Sequence, residues 1–141
     1  MVFLLTSMAM ATVETLSQLK AHADTAHGGD QAKLCLEYAR RMMEDADSLY
    51  TKGDVDKAES EIGEVVEYAH KAAYAASASG KHVKETEIDL RKLGKRMHDI
   101  AATLSVDDRP PVKQAVDEID EIRTDLLVRM FGPQAEPKEK P

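Results

Sequence analysis

Metal chemistry in a short chain needs carboxylates and imidazoles gathered on one face, and this sequence has one such spacing, Glu64-x-x-Glu67-x-x-His70. Residues three apart share a helical face. The step from Glu67 to His70 is the Glu-x-x-His unit from which di-iron carboxylate bundles build their centres, two units and two further carboxylates at a time. Only one unit is present. His22 and His27, with Asp24 and Asp30 nearby, form a looser set, and His82 and His98 lie among Lys and Arg that repel a divalent cation. Cys35, the single cysteine, excludes an intrachain disulfide, a zinc knuckle and an iron–sulfur cluster, and its place on an apolar stripe reads as a small buried hydrophobe. No Cys-x-x-Cys-His, phosphate-cradling glycine loop, Gly-x-Ser-x-Gly elbow or His-Glu-x-x-His occurs. The expectation is a protein without catalytic residues or cofactor, in which Glu64, Glu67 and His70 are the metal candidates.

The elements that must position these side chains are helical. A chain of 141 residues is one domain's worth. With 43% apolar residues, no Trp and two Phe, its core is aliphatic. Lys and Arg number 19 against 26 Asp and Glu, and the net charge of −7 disfavours a nucleic-acid binder. Val13, Leu16, Leu19, Ala23 and Ala26 mark a first helix, which His27-Gly28-Gly29 should stop, leaving Asp30 to cap the next. Ala32, Cys35, Ala39, Met42, Ala46 and Leu49 form the stripe of a second helix, closed by Lys52-Gly53-Asp54.

From Val55 to Leu104 a heptad runs with thirteen of fifteen a and d positions apolar, against about 6.5 expected from the 43% overall frequency. Its phase does not reset across Ser77-Ala78-Ser79-Gly80. The simplest account is one central helix over 54–104, about 75 Å long at 1.5 Å per residue, preferred to two helices broken near Gly80. In its phase Glu64, Glu67 and His70 take c, f and b, the solvent side. Pro110-Pro111 then opens a last helix, capped by Asp108 and ended by Gly132-Pro133. The fold expected is an all-α, elongated bundle of antiparallel hairpins spanning residues 12–132, with a Pro-, Glu- and Lys-rich disordered tail over 133–141.

Two features suggest contacts. Arg91, Lys92, Lys95 and Arg96, preceded by Lys81 and Lys84, form a basic strip that Asp117, Glu118, Asp120 and Glu121 of the last helix should balance. Tyr74 and Ile88 break the polar f positions, beside a small-residue edge of Ala73, Gly80, Gly94 and Ala101 that admits another helix, from the N-terminus or from a partner. Tyr74 and Ile88 are therefore the candidate contacts for a protein partner or a second copy.

Tyr50-Thr51-Lys52-Gly53-Asp54-Val55-Asp56-Lys57-Ala58 resembles the inter-helix turn of a tetratricopeptide repeat, over one hairpin at most, residues 31–70. Gly29 to Ala39 and Arg123 to Gly132 resemble exported helical proteins of bacteria with uncharacterised activity, which implies export. Residues 1–11, uncharged and ending in Ala9-Met10-Ala11, are similar to the tail of an export signal without its basic start. Thirteen uncharged residues are too few to span a bilayer, which takes about 20. The combined expectation is a non-catalytic structural or protein-interaction module, periplasmic or secreted, with the cytoplasm as the alternative compartment and a metal-binding helical protein as the alternative function.

Overall fold

The computed structural model describes residues 14–132; the expected signal remnant over 1–11 and tail over 133–141 lie outside them. The described residues are all-α: α1 (Leu16–Thr25), α2 (Gly28–Lys52), α3 (Val55–Ser79), α4 (Val83–Thr103) and α5 (Arg109–Phe131). None is long and apolar enough to cross a membrane.

Local chemistry accounts for most boundaries. Thr15 and Gln18 close a reciprocal capping box at the start of α1. Gly53, at φ 85, ends α2 in the left-handed conformation that favours glycine, with the Asp54 amide donating to the Leu49 carbonyl at 2.9 Å. The Gly28-Gly29 pair does not stop a helix, as expected, but opens one. His27 stands at the N-cap in place of Asp30, and Gly28 supplies a φ of +58 that turns the chain into α2. Asp54 and Asp108 occupy cap positions but make no side-chain cap bond; the Asp108 carboxylate accepts instead from Ser105 Oγ at 2.9 Å.

The largest departure is at the centre. The 54–104 stretch is two helices, not one, because Gly80 and His82 both adopt left-handed backbone, at φ 69 and φ 57. Ser79 helps the break, its Oγ donating to the Ala76 carbonyl and accepting from the Lys81 amide at 3.2 Å. Folding back turns the apolar stripes of both halves into one shared core, α3 packing chiefly on α2 and α5 and α4 chiefly on α5, whereas a straight rod would leave each half to be covered separately. The heptad phase survives because both halves face the same core.

The products are two antiparallel hairpins, α2/α3 and α4/α5, stacked so that α2 lies beside α4 and α3 beside α5. Each of these neighbouring pairs runs parallel. Gly29 lies at His82 and Glu44 at Arg96 on one side, while Glu59 faces Pro111 and Ser77 faces Arg129 on the other. Met130 reaches the Gly80 turn. One continuous core, including Leu19, Tyr38, Met43, Tyr68, Leu90, Met97 and Ile119, draws on all five helices. At Gly94 the small-residue edge is used within the chain: a β-carbon there would touch Ile119 of α5 at 3.4 Å, so α5 rather than α1 is the helix admitted at that position, while Gly80 of the same edge faces open space.

The basic strip finds different acids from those expected. Arg96 crosses to Glu44 and Asp47 of α2, and the link to α5 has the opposite polarity, Glu87 of α4 accepting from Arg123 at 3.2 Å. The reason is the fold-back, which places α4 against α2 as well as α5.

Candidate interaction groove

The metal candidates diverge. Glu64 is half-buried beneath α1, held by Lys20 Nζ at 2.6 Å and by the Tyr38 hydroxyl, which donates at 2.7 Å. Burial alone would raise its proton affinity, but these two bonds outweigh burial and hold the carboxyl below its ordinary range. The solvent-side assignment of Glu64 is thus corrected, because α1 covers that face. Glu67 turns to Lys71 at 3.6 Å, and exposed His70 lies near Tyr74, Asp125 and Arg129 in a small cleft against α5. Among the described residues no group of three or more His, Cys, Asp or Glu side chains is placed to hold a metal ion. His22 contacts Glu14 at 3.2 Å, and His27 is exposed at the start of α2.

Glu64 belongs instead to a polar seam that fastens α1. Tyr38 and Tyr68 stack obliquely with ring centres 4.5 Å apart. The Tyr68 hydroxyl donates to Asp24 at 2.7 Å, and Lys71 sits 4.3 Å above the Tyr68 ring. Burial, followed by the neighbouring carboxylates, pushes both tyrosine hydroxyls far above the ordinary phenol range. They remain donors at any physiological pH. Cys35 is fully buried, and its thiol is pushed up to about 11, chiefly by burial, so it is not a reactive thiolate.

A second titratable pair sits across the α2/α3 hairpin. Glu61 is pushed up to about 7, first by burial and then by the facing Asp45 carboxylate, and its Oε2 is buried without a hydrogen-bond partner.

The concave feature with binding character lies between the parallel helices α2 and α4, a cleft of about 560 Å³. Leu36, Met43 and Leu93 form its floor, with half-buried Leu34 at one edge. Two ion-pair clamps hold the rim. Arg40 bonds Glu37 through two nitrogens, at 2.7 and 3.3 Å, while Arg96 bonds Glu44 at 2.9 and 3.1 Å and Asp47 at 3.2 Å. These bonds hold the carboxyls of Glu37 and Glu44 below their ordinary range. Lys33, Lys92 and Asp89 complete the rim, exposed and without an ion pair among the described residues. Among the described residues no His, Cys, Ser or Thr lines the cleft.

Sequence reasoning missed this cleft. The strip containing Arg96 is expected to pair with the acids of the last helix, and the signal, Arg96 opposite Glu44 and Asp47 three apart, becomes visible only once α4 is folded back. Of the contact candidates, Tyr74 is 72% exposed on α3, whereas Ile88 is half-buried on α4, and the two do not share a surface with the cleft. Comparison with protein-family models, with curated proteins and with solved structures finds no match to this chain.

Proposed function

We propose that this chain is a non-catalytic protein-interaction module that engages its partner through the α2/α4 cleft, and that it acts outside the cytoplasm. The observation that carries the reading is the cleft itself: an apolar floor between two parallel helices, framed by side chains already locked in place by ion pairs. A rim held before binding loses little entropy on binding. The chemistry of the lining supports binding over catalysis, since its two Arg-bound carboxyls are poor proton donors near neutrality and, among the described residues, no His, Cys, Ser or Thr accompanies them. Stacked hairpins with like helices parallel are also how helical repeats build concave binding faces, in keeping with the tetratricopeptide-like turn at Tyr50–Ala58. The export half of the reading rests on the signal-like residues 1–11.

Photo-crosslinking in the native cells tests it. A photoreactive residue at position 40 should give one discrete adduct that Leu34→Asp, at the half-buried edge of the cleft, abolishes without loss of the folded state by circular dichroism, and intact-mass analysis of the envelope fraction should show cleavage after Ala11. An adduct from position 74 with none from position 40 would move the interaction surface to Tyr74. An unprocessed cytosolic chain would overturn the export assignment.

A further inference from the structure

Resting on that reading, we infer that the occupant of the α2/α4 cleft is a short amphipathic helix whose apolar stripe is flanked by acidic side chains. The shape argument starts from the backbone. A bound segment must satisfy its own amides and carbonyls wherever it is shielded from water, and an extended peptide does so by adding to a sheet edge. The described residues contain no strand, so the cleft has no such edge. A helix brings its main-chain bonds with it. From Lys33 to Glu44 the cleft follows α2 over a rise of about 16 Å at 1.5 Å per residue, which accommodates about three turns. Leu36 and Met43, two turns apart on one face of α2, with Leu93 opposite on α4, offer a floor for anchors spaced i, i+3 or i+4.

The charge argument is independent of the shape. A chain of net charge −7 places four cations, Lys33, Arg40, Lys92 and Arg96, around this one cleft. The two arginines are spent on Glu37, Glu44 and Asp47, and the two lysines have no ionic partner among the described residues. One lysine stands on each wall, Lys33 on α2 and Lys92 on α4, with only Asp89 as a competing unpaired acid. An incoming helix with acidic residues on both flanks meets an ammonium on either side. A basic helix meets two unpaired cations instead.

Selection of phage-displayed random 16-residue peptides on the full chain, with counter-selection on Leu34→Asp, a half-buried residue of the cleft edge whose fold is checked by thermal melting, tests the inference. The expected winners carry apolar residues at helical spacing with Asp or Glu beside them. A synthetic winner should gain helical circular dichroism on binding and weaken as salt rises. It should bind the Lys33→Glu/Lys92→Glu variant about tenfold less tightly, the loss of two exposed ion pairs. Both lysines are exposed, so that variant should keep the wild-type melting temperature, which is checked alongside. Winners that are basic or uncharged, or that bind the double variant equally well, overturn the charge assignment while leaving the cleft a binding site. Winners that bind without gaining helix overturn the helical form. No enrichment over Leu34→Asp overturns both the inference and the cleft reading. Concentration-dependent dimerisation abolished by Leu34→Asp would make a second copy the occupant, and competition by a synthetic peptide of residues 1–13 would make it the chain's own N-terminus; either result overturns an acidic partner helix.

Discussion

Gly29 and His82 meet where the two hairpins begin, so closely that a β-carbon on Gly29 would lie 2.4 Å from Cδ2 of His82. The same β-carbon would sit 3.1 Å from Cβ of Lys81. The Gly80–His82 turn is therefore seated on the bare backbone of α2, and this contact aligns α4 with α2 at one end of the cleft.

Gly29→Ala should destabilise the fold by about 1–3 kcal/mol through overpacking. Because the nearest obstruction is an exposed ring, His82→Ala in the same chain should recover part of the loss. A double-mutant cycle in urea denaturation measures that coupling, and additive effects would show that the contact does not constrain the turn.

Gly80→Ala distinguishes the broken helix from the continuous one. In a helix interior the change stabilises by up to about 1 kcal/mol. At the observed φ of 69 it should destabilise by about 1–2 kcal/mol, because a β-carbon in left-handed backbone crowds the following carbonyl. Thermal melting of the single variant decides by sign.

Glu61 should make stability fall with rising pH. Its folded pKa of about 7 lies above the ordinary glutamate value of 4.5, so between these values the folded chain holds a proton that the unfolded chain has released. The contribution is complete below about pH 4.5 and lost as pH climbs through 7. The Arg-bound Glu37 and Glu44 act in the opposite sense, losing their contribution only as pH falls below the ordinary carboxylate range. Glu61→Gln should therefore match wild type near pH 5 and exceed it by about 1–2 kcal/mol at pH 8, after allowance for solvent screening. Urea denaturation at the two pH values checks it; equal differences at both would show that Asp45 and Glu61 do not share a proton.

Tyr38→Phe should cost about 1 kcal/mol, the net worth of the hydroxyl bond to Glu64, with little change in packing. Since Glu64 is engaged by Lys20 and Tyr38, zinc, copper or iron should leave the melting temperature unchanged. A saturable rise, lost with Glu67→Gln or His70→Ala, would establish the metal-binding alternative.

The helical content and most of the core were legible because the apolar stripes have a period that only a helix satisfies. The break at Gly80 was not. A turn that starts α4 at Val83, itself an a position, leaves the heptad phase as it was, so periodicity could not separate a rod from two stacked halves. The misplaced partners of Arg96 and the unseen cleft follow from that single ambiguity. Glu64 was misplaced for a different reason: α1, ten residues with few strong apolar positions, carries no pattern that says which face it will cover.

That short helix sets a hierarchy of opening. Ten residues are too few to hold helical structure alone, so α1 persists through Leu19, Ala23 and the seam at Asp24 and Glu64. Its amides should exchange with solvent through detachment of α1, while those of α2 and α3 wait for global unfolding. The chain has no Trp and four Tyr, and two of these, Tyr38 and Tyr68, lie in that seam. Its intrinsic fluorescence is thus a built-in reporter of a partly open state that hydrogen exchange can time.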